Sequence, residues 1–221
     1  MACTIARYIF SSYLCTIMKP IKNIVFDLGG VVFARDPRKF EPEFIKFFSF
    51  IALAKMPDFW EDYDRGDILY DEVVEHLARY NNCDKTLAEA NLRRSILTQE
   101  EIPATKRLIE QLAEAGYNLY VLSNMSREFI DFLRHKEVYG HFRGDVVSCE
   151  EHIAKPDEAI YRRLLEKYDL VADETLFVDD REANIEAAVS VGIEGYLFRT
   201  MDADACCKEL GERLLLTKNV M

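Results

Sequence analysis

The sequence predicts an α/β fold, a doubly wound parallel sheet interrupted after its first strand by a helical insertion. Two observations carry this. From Pro103 to the C-terminus, short apolar runs rich in β-favouring residues alternate with amphipathic helical stretches, the pattern of repeated strand-helix units. Before that, residues 38–102 read as helix without a convincing strand, although two neighbouring parallel strands can be joined by far less chain.

The first strand is Ile24-Val25-Phe26, an uninterrupted apolar run that reads as buried on both sheet faces. It stops at Asp27-Leu28-Gly29-Gly30. A carboxylate is thereby set at a strand's carboxyl end, where parallel α/β sheets bind ligands, beside glycines that let backbone groups approach a bound molecule. Phe33-Ala34-Arg35-Asp36-Pro37-Arg38 breaks the pattern. Within the block that follows, Tyr70, Val73, Val74, Leu77 and Ala78 form a helical stripe, Asn81-Asn82 interrupts it, and a second helix is expected from Asp84 to Leu97. Thr105, Leu108, Ile109 and Leu112 then share a helix face, Gly116 ends that helix, and Tyr117 to Leu122 is the second strand. The remainder predicts helices over 126–134, 156–168, 182–191 and 203–215, with strands over 145–147, 175–178 and 195–198. The expected division is a core of residues 18–34 and 103–221, a helical cap of residues 35–102, and an uncertain N-terminal extension over residues 1–17.

That extension is apolar from Tyr8 to Met18 and follows a single basic residue, Arg7. It lacks a small-x-small cleavage site and is too short to span a bilayer as a helix. An over-extended start, with Met18-Lys19-Pro20 as an ordinary beginning, is favoured over an ordered extra element or a targeting signal.

With 49% hydrophobic residues in 221 the chain has ample material for a core. Its 39 acidic against 28 basic residues give a net charge of −11, which argues against nucleic acid or an anionic membrane as partner. A small anionic substrate is compatible with this charge if a metal and a few cations dominate the site. The cysteines, Cys3, Cys15, Cys83, Cys149, Cys206 and Cys207, show neither zinc-site spacing nor the density of a disulfide scaffold, so a reducing cytoplasm is expected. Cys206 and Cys207 read as two ordinary thiols on a helix.

Three later segments give the Asp27 stretch its meaning: Val121-Leu122-Ser123-Asn124, then Ala154-Lys155-Pro156-Asp157, then Phe177-Val178-Asp179-Asp180-Arg181-Glu182-Ala183-Asn184. With these four motifs, in this order, the chain resembles the haloacid dehalogenase-like (HAD) hydrolase superfamily, made up mostly of Mg²⁺-dependent phosphatases. The Asp-Leu-Gly-Gly opening and the paired-Asp closing motif are similar to the subfamily of small sugar-phosphate phosphatases and the phosphatase domain of soluble epoxide hydrolases. The resemblance implies a Rossmann-like core with a helical cap, and a phosphorylated small molecule as substrate.

It further implies that Asp27 attacks phosphorus to give an aspartyl-phosphate that water later hydrolyses. Mg²⁺ prefers oxygen ligands and is usually held by one or two carboxylates plus a phosphate oxygen, which suits Asp27 and Asp180. The resemblance adds the Gly29 carbonyl as a third protein ligand and leaves Asp179 behind the metal or joined to it through water. Lys155 would offset charge between Asp27 and the phosphoryl group. Ser123, Asn124 and the amides of the helix near Ser126 would receive phosphoryl oxygens. Taken singly, Ser123 also reads as a helix cap, Lys155 as an exposed residue before a helix, and Asn184 either as a support for Asp180 or as a helix-surface residue.

Gly29 departs from the family pattern, because most of these phosphatases carry there a second Asp that protonates the leaving oxygen and activates water. Metal-bound water, Asp36, His141 and His152 are the open replacements. The loss also admits a 2-haloacid dehalogenase, which lacks that Asp, and a non-catalytic binding protein. For substrate choice, Arg35, Trp60, Tyr63 and Arg65 combine aromatic faces with nearby cations.

Overall fold

The computed structural model describes residues 20–53 and 55–218. The N-terminal extension, Cys3, Cys15 and the Met18 start lie outside the described residues.

Five parallel strands form the central sheet: β1 (Asn23–Phe26), β4 (Asn118–Ser123), β5 (Gly144–Val147), β6 (Thr175–Asp179) and β7 (Glu194–Leu197). Their order in space is β5-β4-β1-β6-β7. The chain therefore winds outward in one direction from β1 and then in the other, and β1 lies where the winding reverses. Alternation within the buried strands feeds two cores. Ile24 and Phe26 of β1 join Leu119, Val121, Leu176 and Val178 on one face, against α5 (Pro103–Glu114) and α10 (Ala203–Lys218). Val25 joins Tyr120, Leu122 and Phe177 on the other, against α8 (Glu158–Lys167) and α9 (Glu182–Ser190). Apolar side chains on both faces explain why these strands read as continuous apolar runs rather than alternating ones.

A small antiparallel ribbon marks where the chain leaves and re-enters the core. Strand β2 (Phe33–Ala34) pairs with β3 (Glu100–Glu101), and the Ile102 N–H donates to the Val32 carbonyl at 2.8 Å. The reading of residues 38–102 as purely helical missed β3, whose two glutamates carry no β signal; the pairing with Phe33 and Ala34 makes it a strand.

Between these two strands come α1 (Pro42–Phe47), α2 (Asp58–Arg65), α3 (Tyr70–Tyr80) and α4 (Lys85–Leu97). They pack around their own apolar cluster, which includes Phe44, Phe48, Phe50, Trp60, Tyr63 and Leu92. Asp84 caps α4, its carboxylate accepting from the Leu87 N–H at 2.8 Å. Two short helices complete the core, α6 (Arg127–Leu133) and α7 (Ser148–Glu151), and Phe129 of α6 packs into the helical cluster. The described cysteines, Cys83, Cys149, Cys206 and Cys207, are free thiols, the last two buried on α10. No helix among the described residues is long and apolar enough to cross a membrane.

Candidate active site

β1 lies between β4 and β6, so the residue following it emerges at the reversal point of the sheet, where a crevice opens at the carboxyl edge. That residue is Asp27, whose N–H donates to the Val178 carbonyl at 2.9 Å and whose side chain is 11% exposed. The chain then turns sharply, with the Val32 and Phe33 amides both donating to the Leu28 carbonyl. Gly30 makes this turn possible. Its φ is +78°, and a Cβ there would stand 2.5 Å from an Asp180 carboxylate oxygen.

At the end of β6, Asp179 is fully buried and Asp180 partly exposed. Oxygen atoms of Asp27, Asp179 and Asp180 all lie within 4.8 Å of one another. Lys155, 6% exposed in the loop before α8, meets this cluster with its ammonium 2.8 Å from Asp27, 2.7 Å from Asp179 and 2.9 Å from the Leu122 carbonyl. Three carboxylates thus face one fixed ammonium. Burial pushes the Asp27 carboxyl up, Lys155 opposing and Asp179 adding to the push. Asp180 is pushed up to about 7 by burial and by Asp27 and Asp179. For Lys155 burial works against the charge, but Asp179 and Asp27 outweigh it and hold the ammonium above its ordinary range. The surplus of negative charge and the all-oxygen donor set fit a hard divalent cation such as Mg²⁺.

The remaining residues singled out in the sequence divide between this cluster and other places. The Ser123 hydroxyl is buried beside Asp27 without a well-formed hydrogen bond among the described residues. Asn124 faces Lys155: its amide donates to the Lys155 carbonyl and accepts from the Lys155 N–H, both at 2.8 Å, so its side chain sets the lysine loop. Asn184 is buried and supports Asp179 rather than Asp180, donating to both of its carboxylate oxygens at 3.0 Å. The Arg181 N–H closes the same carboxylate at 2.8 Å.

Asp36 is held by Arg38, which pulls its carboxyl down to about 2, and so it is a poor proton carrier. His141 sits in the turn leading into β5, at the amino edge of the sheet and away from Asp27. His152 is exposed and faces Asp67 at 3.5 Å. Trp60 and Tyr63 are core residues of the helical cluster, Arg65 pairs with Asp62 and Asp67 at the surface, and Arg35 donates to Ser95 over the Phe48 ring.

One acid the sequence reading passed over interacts electrostatically with the site. Asp64, near the end of α2, lies within electrostatic reach of Asp27 and Arg181, and the Ser126 N–H is directed at its carboxyl. Its sequence signal was weak, because an Asp on an acidic helix reads as solvated surface.

Fold and site together define a carboxylate-centred α/β enzyme. The chain belongs to the haloacid dehalogenase-like hydrolase family, whose model matches residues 21–192. It is 28% identical over 200 residues to the sesquiterpene phosphatase astK of Aspergillus oryzae, covering 89% of this chain and 97% of that protein. It is 25% identical over 184 residues to the phosphorylated carbohydrates phosphatase of Thermotoga maritima, covering 79% of this chain and 83% of that one. Some relatives are much longer: the chain spans 35% of the drimenol cyclase drtB of Aspergillus calidoustus. Among solved structures, a HAD-family enzyme of Bacteroides thetaiotaomicron in complex with magnesium superposes with a TM-score of 0.65 at 26% identity, over 82% of this chain and 95% of that one. The chain is therefore a hydrolase of this family.

Proposed function

We propose that the protein is a Mg²⁺-dependent phosphomonoesterase acting on a small phosphorylated metabolite through an aspartyl-phosphate. The observation that carries this reading is the meeting of Asp27, Asp179 and Asp180 around the Lys155 ammonium at the switch point of the sheet. Asp27, Asp180 and the Gly29 carbonyl would hold the magnesium ion, which supplies the positive charge that lets a carboxylate and a phosphate approach.

The chain's own residues do the rest. Asp27 presents a carboxylate oxygen to phosphorus, the phosphorus bond to the leaving oxygen breaks, and the aspartyl-phosphate is left for water. Lys155 fixes one Asp27 oxygen and offsets charge on the phosphoryl group, while Ser123 offers a hydrogen bond to a phosphoryl oxygen. Asn124 sets Lys155, and Asn184 with the Arg181 N–H sets Asp179. Residues 35–102 act as a cap over the crevice, supported by their separate apolar cluster and by the ribbon that joins them to the core. Free buried thiols are consistent with a reducing, cytoplasmic setting.

Two substrate classes follow from the relatives: phosphorylated carbohydrates and prenyl-type phosphates, the latter favoured by the similarity to astK over nearly its whole length. The test is a panel of sugar phosphates, a prenyl phosphate, an aryl phosphate and 2-chloropropionate, each with Mg²⁺ and with chelator. Chelator-sensitive phosphate release is the expected result. Metal-free halide release points instead to a dehalogenase, and silence on every compound to a binding protein.

A further inference from the structure

On the phosphomonoesterase reading, we infer that Arg181 and Arg35 form a second anion site where the sheet meets the inserted helices, and that the substrate carries a second anionic group, phosphate or carboxylate, at its far end.

The two residues are cations without counterions. Among the described arginines that are partly shielded from solvent, Arg65, Arg94 and Arg134 each pair with a carboxylate. Arg35 and Arg181 are partly shielded too, and neither forms an ion pair among the described residues. In a chain with 39 acidic residues against 28 basic ones, carboxylates for a guanidinium are plentiful. Holding an unpaired charge partly away from water is unfavourable, and an anionic ligand would offset that.

Both side chains bond to neutral acceptors instead. Arg181 donates from one guanidinium nitrogen to the Ile51 carbonyl at 3.0 Å. Arg35 donates from one nitrogen to the Ser95 carbonyl at 3.2 Å and to the Ser95 hydroxyl, and its guanidinium carbon lies 5.6 Å from the centre of the Phe48 ring. Each guanidinium thus commits a single nitrogen to hydrogen bonds among the described residues. The rest of its planar donor fork suits an oxyanion in both geometry and charge.

The two arginines grip one turn of the insertion from its two ends. That turn is the short helical segment Ser49–Ala52, closed by the Ile51 N–H, which donates to the Phe48 carbonyl at 3.1 Å. Arg35 lies over Phe48 and Arg181 holds Ile51, so the guanidiniums flank the same few residues. Both side chains also start from the catalytic edge of the sheet. Arg181 directly follows Asp180, an oxygen of which lies within 4.8 Å of one on Asp27, and its own N–H donates to Asp179 at 2.8 Å. Arg35 follows β2, which is fastened to the turn after Asp27 by the Gly30 N–H, donating to the Phe33 carbonyl at 2.8 Å. The Arg181 guanidinium is therefore one side-chain length from the carboxylate cluster, on the side where the insertion begins. A ligand whose phosphate sits at Asp27 and whose body extends toward the insertion brings its far end there.

Asp64 and Asp180 feel the Arg181 charge, yet neither carboxyl forms an ion pair with it. Burial pulls the Arg35 guanidinium down to about 10 with no acid opposing the shift.

The test uses full-length protein in Mg²⁺ and three esters that share one carbon chain: propyl phosphate, 3-phosphooxypropanoate and propane-1,3-diyl bisphosphate. Wild type should show a higher kcat/KM on at least one doubly anionic ester than on propyl phosphate, and which one it is tells carboxylate from phosphate. In Arg181→Gln and in Arg35→Gln the ratio to propyl phosphate should fall by ~10- to 100-fold, the worth of a hydrogen bond to a charged group. Arg181→Lys keeps the charge, should restore part of the ratio, and carries the comparison if the Gln variant misfolds. A purely structural role lowers all three rates alike and leaves the ratio unchanged.

Trp60 gives a reading of binding apart from turnover. It is the single tryptophan, and its ring lies 6.0 Å from Phe48 and 5.2 Å from Phe50. Propane-1,3-diphosphonate, which is not hydrolysed, should change its fluorescence at lower concentration than propylphosphonate does, and the difference should shrink in the Gln variants. Wild type that prefers neither doubly anionic ester, or a ratio that survives both Gln substitutions, overturns the second site. Absence of turnover on every ester defeats the phosphomonoesterase reading instead, and the diphosphonate titration then decides the site: equal affinity for the two phosphonates overturns it.

Discussion

The Lys155 ammonium stands 2.8 Å from the Asp27 carboxylate across 128 positions of sequence, and both side chains are nearly shut off from solvent. A buried ion pair gains its keep only when each charge is matched, because removing one partner strands the other. Replacing Lys155 with Met should therefore lower stability by about 3–5 kcal/mol and cut turnover by ~10²-fold or more. Urea unfolding and steady-state rates on an aryl phosphate check this. An equally stable, equally active variant contradicts the arrangement.

Gly30 is bound to its place by two constraints, a positive φ and the approach of Asp180. Gly30→Ala should cost about 1–3 kcal/mol in backbone strain alone and displace the Asp180 carboxylate. The expected outcome is weaker Mg²⁺ binding by calorimetry together with a lower midpoint in denaturant. Unchanged metal affinity would show that the turn and Asp180 are independent.

Asn184 acts at one remove, through Asp179. Asn184→Ala should reduce Mg²⁺ affinity or activity by ~10- to 100-fold, the usual cost of losing a group that orients a metal site. Asn184→Asp sets a fourth carboxyl against Asp179 and should be worse. Activity at saturating Mg²⁺ separates loss of affinity from loss of rate, and full activity in both variants contradicts the support role.

The raised Asp180 pKa makes a signed prediction. Below about 7 Asp180 is mainly protonated in the metal-free protein, and a proton must leave before a cation can bind. Mg²⁺ affinity should therefore rise as pH increases from 5.5 to 8, with proton release on binding at the lower end. Calorimetry in two buffers of different ionisation enthalpy measures that release; a flat affinity without it contradicts the assignment.

Much of this site was legible in the sequence because its acids follow buried strands. An uninterrupted apolar run ending in Asp names both the strand and the end at which the acid sits, as with Phe26-Asp27 and Val178-Asp179-Asp180. The alternation of Ile24 and Val25 between two cores, in turn, follows from strand geometry. What was not legible depends on folding at a distance. Asn184 sits four residues after Asp180, which suggested a helix-face pairing with that acid; the turn at Arg181 instead directs it to Asp179. Asp64 is one residue beyond Tyr63, which the sequence reading favoured for its aromatic face. Helical geometry turns Tyr63 into the apolar cluster, whereas Asp64 beside it interacts with Arg181 and Asp27. Nothing local in Glu100–Glu101 announces a strand, since only the partner Phe33–Ala34 makes it one.

The central claim is that the Asp27 carboxylate bonds to phosphorus, and the covalent intermediate itself tests it most directly. Wild type turning over an aryl phosphate in Mg²⁺ is quenched in acid, treated with borohydride and mapped by peptide mass spectrometry. Reduction of an aspartyl-phosphate leaves homoserine in place of the aspartate, and the expected result is homoserine at position 27, absent from Asp27→Asn. Active enzyme that shows no reduced residue at position 27, or one at another carboxylate, contradicts the account.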